Sequence, residues 1–353
     1  MTQPSRPEPV PVIVLAGFLG SGKTTVLNHL LGNDLGVRLG VIVNDFGDVG
    51  IDALMVAGQV DGAVDLGNGC VCCAVDVDEL DETLEQLTGG PRTVDAVVIE
   101  ASGLAEPRTL IRMIVGSSVP TVRYGGLVEV VDADAYPHNR RAHPELDLHV
   151  RLADLVVLNK SDLVGPEALA DLRRELSDLC GPVPLIDAVR GRIDPRMLFD
   201  EQHREPDTLP RQMTIDELLR APAPEHDHEP HASHLHDRYD SVSYSHNGPL
   251  HPRRLIELLE NGRPGVYRMK GVVALADPDD CGTFEMQTVG RHVHARRRAP
   301  AGRKRAGPAA STFVAIGIGI DAADLQSAFD FCRVGPDEPA DEQAMLSVLR
   351  YAE

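Results

Sequence analysis

The chain has 353 residues, of which 42% are hydrophobic, and its 34 basic and 54 acidic residues give a formal net charge of −20. This length supports a substantial core and most simply two domains, and the negative charge disfavours nucleic acid and anionic membranes as partners. No stretch reaches the roughly 18 apolar residues of a membrane span, and the proline-rich start lacks the apolar core of a signal peptide. We therefore expect a cytoplasmic protein whose six cysteines are free or metal-bound rather than paired.

Short apolar runs in the first half of the chain predict buried strands that alternate with helices. The runs are 12–16, 40–43, 94–99, 126–131, 155–158 and 184–186. The first is followed by a glycine-rich turn and by a predicted helix over 24–31 that ends near Gly32. Fully apolar strands of this kind are typical of a doubly wound, mostly parallel α/β sheet covered on both faces. Such sheets bind ligands at the carboxyl ends of their strands.

The pattern changes after about residue 212 and indicates a linker followed by a second domain. Residues 225–237 read EHDHEPHASHLHD and hold five of the fourteen histidines, namely His226, His228, His231, His234 and His236. Strands over 241–246, 271–276 and 312–318 and helices over 252–260 and 322–332 predict a small α+β domain. We therefore divide the chain into 1–211, a histidine-rich linker at 212–240, and 241–353. Residues 291–305 carry seven basic residues and are predicted to form a loop.

A glycine-rich segment, GFLGSGKT at 17–24, predicts a phosphate-binding loop. Gly17, Gly20 and Gly22 allow the backbone to curl around phosphate oxygens with its N–H groups turned inward. Lys23 should reach the β- and γ-phosphates, and the Thr24 hydroxyl should be a ligand of Mg²⁺. The alternative, a glycine turn with a chance lysine, is disfavoured because a strand precedes the motif and a helix follows it.

Two further segments follow predicted strands and complete a nucleotide site. Asn159, Lys160 and Asp162 form an NKxD motif, in which the Asp162 carboxylate accepts hydrogen bonds from the guanine N1–H and amine. Glu100 ends a strand where a carboxylate would stand close to Mg²⁺ or its water shell. Each of these residues has an ordinary alternative as a polar group at the end of a strand. No glutamine or arginine stands out as a hydrolytic aid, so turnover of ~10⁻⁴ to 10⁻² per second is expected.

Three cysteines within four residues predict a site for a soft metal ion. Cys70, Cys72 and Cys73 supply thiolates suited to Zn²⁺, and Asp45 is a candidate neighbouring ligand. With three thiolates and no fourth residue in the motif, the site would be open to exchange. The alternative is a set of buried or redox-active thiols. The remaining cysteines occur singly and are predicted to lie in the core, at Cys180, Cys281 and Cys332.

Taken together, these motifs resemble the CobW-like P-loop GTPases, relatives of the nickel-accessory GTPases of urease and hydrogenase. The resemblance rests on GFLGSGKTT at 17–25, NDFGDVGID at 44–52, GCVCC at 69–73, EASGLAEP at 100–107, NKSD at 159–162, HPRRL at 251–255 and RMKGVVALA at 268–276. It implies that GTP and Mg²⁺ are held by Gly20, Ser21, Gly22, Lys23, Thr24 and Thr25, and that Cys70, Cys72 and Cys73 carry the metal. The chain departs from the family pattern in two respects. The family usually has Glu where Asp45 and Asp48 stand, and a Ser-Ala loop in place of residues 186–188.

The sequence thus predicts a cytosolic GTPase that acts as a metallochaperone, with zinc its cargo and an unidentified metalloprotein its client. The resemblance also allows cobalt as the cargo, for cobalamin synthesis or for maturation of a cobalt enzyme. Two further alternatives are a passive zinc store with a vestigial GTPase, and a GTPase bound to RNA through the basic stretch at 291–305. The sequence leaves a homo-oligomer open.

Overall fold

The structure of the chain is a computed structural model. It describes residues 8–32, 35–43, 63–65, 77–89, 94–103, 106–200, 240–276, 282–298, 310–335, 338, 341 and 343–352. These residues form two sheets, one parallel and one antiparallel, each covered by helices. Within the described part of the chain, no helix is both long and apolar enough to cross a membrane.

The first sheet is parallel throughout and has seven strands in the order β3-β2-β4-β1-β5-β6-β7. Its strands are β1 (Val10–Ala16), β2 (Leu39–Val43), β3 (Ala63–Asp65), β4 (Ala96–Glu100), β5 (Val122–Asp132), β6 (Leu155–Asn159) and β7 (Leu185–Asp187). The six predicted strands are all present, and the short β3 is an addition. The predicted parallel α/β sheet is confirmed.

Helices cover both faces of this sheet, as the alternation of side chains along β1 shows. Ile13 and Leu15 lie in one apolar cluster with α1, whereas Val12 and Val14 lie in another with α2 and α3. The helices are α1 (Lys23–Leu31), α2 (Val77–Thr88), α3 (Pro107–Val115), α4 (Tyr136–Ala142), α5 (Glu145–Leu152) and α6 (Pro166–Cys180). The sheet is therefore doubly wound, and its polar loops are left at the strand ends.

The second sheet is antiparallel, with five strands in the order β11-β10-β9-β12-β8. Its elements are β8 (Asp240–Asn247), α7 (Pro252–Asn261), β9 (Val266–Ala274), β10 (Thr283–Val289), β11 (His292–Arg297), β12 (Ala310–Gly317), α8 (Ala322–Phe331) and α9 (Ala344–Leu349). One apolar cluster joins this sheet to the three helices. The predicted α+β C-terminal domain is confirmed.

The basic stretch at 291–305 corrects one prediction, because its first part is a strand rather than a loop. Residues 292–297 form β11, in which Val293 and Ala295 are buried while the basic residues alternate with them. The Arg296 guanidinium pairs with Glu285 on the neighbouring strand. The strand thus has basic side chains on one face and apolar side chains on the other, and the run of basic residues obscured this period-two pattern in the sequence. Residues 299–305 lie outside the described residues.

The antiparallel sheet contacts the parallel sheet at the amino ends of the parallel strands. The turn between β10 and β11 reaches Asp154, whose main-chain oxygen accepts a hydrogen bond from the Arg291 N–H at 3.2 Å. Gly290 has φ +56° in this turn, and a Cβ there would lie 1.5 Å from the Asp154 oxygen. A second contact is made by Arg268, only 4% exposed, whose guanidinium is 2.8 Å from the Asp200 carboxylate.

Candidate functional site

The loop between β1 and α1 has the backbone shape of a phosphate-binding loop, and glycine is required at two of its positions. Gly17 has φ +150°, and a Cβ there would lie 2.4 Å from the Val130 carbonyl oxygen on β5. Gly22 has φ +97°, and its Cβ would lie 2.3 Å from the Asn159 amide nitrogen. The main chain of the loop therefore lies so close to β5 and to the end of β6 that a side chain at either glycine would not fit.

A cavity of about 750 Å³ opens above this loop, at the carboxyl ends of the strands. It is lined by the three segments that the sequence singled out, the loop at 20–25, the end of β4 and the end of β6. The predicted site residues on its wall are Gly20, Gly22, Lys23, Thr24, Thr25, Glu100, Asn159, Lys160 and Asp162. Gly17 and Ser21 belong to the same loop but are not on this wall, and Ser21 is buried.

Thr24 and Glu100 form the chemical centre of this cavity. The Thr24 hydroxyl donates a 2.7 Å hydrogen bond to a Glu100 carboxylate oxygen, and Glu100 is only 4% exposed. A hydroxyl and a buried carboxylate are hard oxygen donors of the kind that Mg²⁺ prefers. The donor set therefore fits the predicted Mg²⁺. Beside it, the Lys23 ammonium donates to the Gly17 carbonyl at 3.0 Å, within the loop itself.

In the NKxD segment, Asn159 braces the phosphate loop, whereas Asp162 faces the cavity. The Asn159 amide donates to the Ser21 carbonyl at 2.8 Å and accepts from the Gly191 N–H at 2.9 Å. Asn159 is thus a buried brace between the phosphate loop and the segment after β7. Lys160 has the left-handed φ of 59°, and its ammonium lies 2.6 Å from the Asp132 carboxylate. Asp162 is exposed on the cavity wall, where a base could reach it.

Sequence reasoning missed Arg190, which also lines the cavity and has φ 52°. Arg190 lies in the segment after β7. In this segment the Ala188 carbonyl accepts a 3.2 Å hydrogen bond from the Ser161 N–H. The departure from the family pattern at 186–188 pointed to this segment, but no motif identified the arginine.

The predicted metal ligands lie outside the described residues. These are Asp45, Cys70, Cys72 and Cys73, together with the histidines at 226–236. In the part of the chain that the structure does describe, no group of three His, Cys, Asp or Glu residues could hold a metal ion.

Two cysteines confirm the prediction of core thiols. Cys180 and Cys332 are free and buried within apolar clusters. Burial raises the pKa of both thiols, to about 12 for Cys332. They are therefore protonated at neutral pH, as is typical of thiols buried in apolar surroundings. Cys281 lies outside the described residues.

Comparison with protein families places both halves of the chain. Residues 11–187 match the CobW/HypB/UreG nucleotide-binding domain, and residues 239–333 match the C-terminal domain of the cobalamin synthesis protein cobW.

Several curated proteins are similar to this chain. The zinc chaperone CobW of Sinorhizobium sp is 31% identical over 300 residues, covering 76% of this chain and 79% of that protein. The zinc chaperone YjiA of Escherichia coli is 32% identical over 197 residues, covering 54% and 61%. The zinc-regulated GTPase metalloprotein activator 1 of Schizosaccharomyces pombe is 32% identical over 196 residues, covering 53% and 47%. The last two matches span less than two thirds of those relatives.

A solved structure, that of the Zn(II)-bound YjiA GTPase from E. coli, covers 93% of this chain and 100% of its own at 23% identity and a TM-score of 0.43.

Proposed function

The chain belongs to the CobW/HypB/UreG family of P-loop GTPases, and we propose that within this family it is a zinc metallochaperone. In this proposal Cys70, Cys72 and Cys73 hold the ion, and the state of the nucleotide controls its transfer to a client metalloprotein. The proposal draws on the zinc chaperones among its relatives and on three thiols within four residues.

The geometry at the carboxyl edge of the sheet supports the proposed coupling between nucleotide and metal. Val43, the last residue of β2, lines the nucleotide cavity, and the chain continues from it toward Asp45. β3 pairs in parallel with β2 and ends at Asp65, five residues before Cys70. Both strands that flank this part of the chain therefore end at the edge where the nucleotide would bind. In this proposal, the metal site between β3 and α2 follows a strand that pairs with β2, the strand whose last residue lines the cavity.

The residues of the cavity have complementary roles in hydrolysis. Lys23 would exchange its bond with the Gly17 carbonyl for the β- and γ-phosphates, and the main-chain N–H groups of the loop would hold the remaining oxygens. Thr24 would bind Mg²⁺, with Glu100 beside it. Bound Mg²⁺ supplies neutralisation of the charge that develops on the phosphates. Asp162 would select guanine, because adenine lacks the paired donors that its carboxylate needs.

The first experiment measures GTP hydrolysis with and without Zn²⁺. It compares the unmodified chain, a Cys70→Ser/Cys72→Ser/Cys73→Ser variant, and Cys180→Ala as a control that removes a thiol from the core. We expect Zn²⁺ to change the rate in the unmodified chain and in Cys180→Ala, and to have no effect on the triple variant. The same zinc response in all three would place the regulatory metal elsewhere.

A second measurement tests the coupling itself, through the zinc affinity with a GTP analogue, with GDP and without nucleotide. A shift of the metal site from 1:99 to 99:1 requires roughly 5.5 kcal/mol of differential binding. We expect the affinity to differ between the GTP-analogue and GDP states. Equal affinity in all three states would contradict nucleotide control and favour a passive store.

Cobalt is the second candidate cargo, because the C-terminal match is to a protein of cobalamin synthesis. Competition between Zn²⁺ and Co²⁺ in vitro does not decide between them, since thiolates favour zinc. The response of the protein's abundance to zinc starvation does: induction supports zinc, and an unchanged level together with a cobalt-dependent growth defect of a deletion strain supports cobalt.

A further inference from the structure

A carboxylic acid lies buried beneath the phosphate loop, in a strand whose other inward residues are apolar. Glu129 is on β5 and pairs in register with Ala16, the residue immediately before the loop. Its neighbours Val128 and Val130 belong to the apolar cluster around α1, and Leu127 to the cluster on the opposite face. Glu129 is 2% exposed, so its carboxyl group is removed from water.

The surroundings of Glu129 offer it little compensation. Among the described residues, its Oε2 atom has no hydrogen-bond partner. A cavity of about 10 Å³ beside it has room for one water at most and cannot admit a ligand. Any role of this carboxyl must therefore be exerted through neighbouring groups.

Lys23 is the charged group that acts on Glu129. Its ammonium is bound to the carbonyl of Gly17, and Gly17 follows the residue that is paired with Glu129. On the helical side, Tyr136 faces Glu129, but its hydroxyl donates to Asp147 at 2.9 Å. Asp132, at the end of the same strand, is paired with Lys160. Lys23 is thus the cation that can interact electrostatically both with this buried acid and with a phosphate bound at the loop.

Burial raises the pKa of Glu129 to about 8, and the positive charge of Lys23 opposes that rise. The carboxyl is therefore mostly protonated at neutral pH. A small increase in pH places a negative charge directly below the phosphate site.

We propose that Glu129 is a positioning residue for Lys23, and that it couples nucleotide binding to the uptake of a proton. This inference rests on the proposed binding of GTP and GDP at the phosphate loop. An ionised Glu129 holds the Lys23 ammonium at the base of the loop and repels the phosphates, in a setting where little solvent screens either effect. A protonated Glu129 leaves the ammonium to the β- and γ-phosphates.

The coupling is reciprocal, which makes it measurable in two ways. If protonation strengthens nucleotide binding, then the bound nucleotide must raise the affinity of Glu129 for its proton. Nucleotide affinity should fall as the pH rises through the range in which the free protein loses that proton, and binding in this range should take up a proton from solution.

The first test measures the Kd of Mg²⁺–GDP between pH 6.5 and 8.5, using GDP because it is not hydrolysed. For the unmodified chain, we expect Kd to rise about fourfold more over this range than for Glu129→Gln, in which the group cannot ionise. Glu167→Gln, an exposed change on α6, is the matched control and should follow the unmodified chain. Should Glu129→Gln fold poorly, Glu129→Met also removes the titrating group and keeps its volume.

The second test is calorimetric titration with GDP at pH 8 in buffers of different ionisation enthalpy. We expect the unmodified chain to take up about half a proton per nucleotide more than Glu129→Gln. A merely structural role of Glu129 would change affinity equally at every pH and leave the proton count the same. Equal proton uptake or parallel pH profiles would overturn the inference. Absence of GDP and GTP binding at every pH would instead overturn the nucleotide proposal on which it rests.

Discussion

His292 makes the contact between the two domains sensitive to acid. Its Nε2 lies 3.1 Å from the Tyr124 carbonyl oxygen, and its ring meets the Tyr124 ring edge-on with centroids 4.9 Å apart. Burial lowers the pKa of His292 from 6.5 to about 4, and the charges of Arg123 and His294 add to this effect. In the folded protein the imidazole is therefore mostly neutral at pH 5 and above.

The sign and size of the effect on stability follow from this difference in pKa. As the pH falls from 7 to 5, His292 binds a proton in the unfolded chain but remains neutral in the folded protein, so the free energy of unfolding decreases. At about 1.4 kcal/mol per pKa unit, the loss from this residue is about 2 kcal/mol at pH 5. The imidazole is partly exposed, which makes this figure an upper value.

Urea unfolding at pH 7 and pH 5 measures this loss when the unmodified chain is compared with His292→Gln. We expect the unmodified chain to lose up to about 2 kcal/mol more than the variant between the two pH values. His138→Gln, on the exposed side of α4, controls for the removal of one histidine. Equal losses in the unmodified chain and His292→Gln would refute the reasoning, because they would show that His292 titrates alike in both states.

Three further changes test other parts of the structure. Asp162→Asn should reduce the preference for GTP over ATP at least tenfold in competition binding, since a carboxylate that accepts from two donors becomes an amide that can do so at only one oxygen. Gly290→Ala should lower the free energy of unfolding in urea by more than Gly319→Ala, because both have positive φ but only the Gly290 Cβ would meet an atom, the Asp154 oxygen. As the pH rises from 5 to 7, the free energy of unfolding of the unmodified chain should fall by about 2.5 kcal/mol more than that of Glu129→Gln, because the pKa of Glu129 is raised in the folded state. Parallel curves of unfolding free energy against pH for the two proteins would contradict this.

The sequence predicts strands best where burial on both faces makes a run wholly apolar. β1 and β6 appear in this way, whereas β5 was predicted over 126–131 and extends over Val122–Asp132. Gly126 has φ +116°, and the pairing of β5 with β1 shifts register at Val12 and Ile13. The irregularity interrupts the apolar run, so the first part of the strand was not recognised. β10 and β11 were missed because polar side chains alternate with their buried ones.

The site shows a similar division between local and spatial information. The glycine loop and the NKxD segment are contiguous motifs, so the sequence could indicate them, and the structure brings them to one cavity. Their roles in binding stay predictions. Glu129 and Arg190 belong to no contiguous pattern: the register of β5 with β1 brings Glu129 beside the phosphate loop, and the loop after β7 brings Arg190 to the cavity wall. Asn159 was predicted as a member of the guanine-binding motif, and its contacts with Ser21 and Gly191 show that it also braces the phosphate loop, which no contiguous pattern indicated.

β5 connects the two functional edges of the parallel sheet. Near its carboxyl end the Val130 carbonyl supports Gly17 of the phosphate loop, and near its amino end the Tyr124 carbonyl contacts His292 of the second sheet. These carbonyls are six residues apart, about 20 Å along a strand. The contacts that the structure describes between the two sheets lie at the amino edge, whereas β2 and β3 lead toward Asp45 and Cys70 from the carboxyl edge. In the function proposed above, control of the metal by the nucleotide therefore does not need the domain contact. We expect Gly290→Ala, which loosens that contact, to keep the zinc response of GTP hydrolysis, and loss of the response in a folded variant would show that the coupling passes through the second domain.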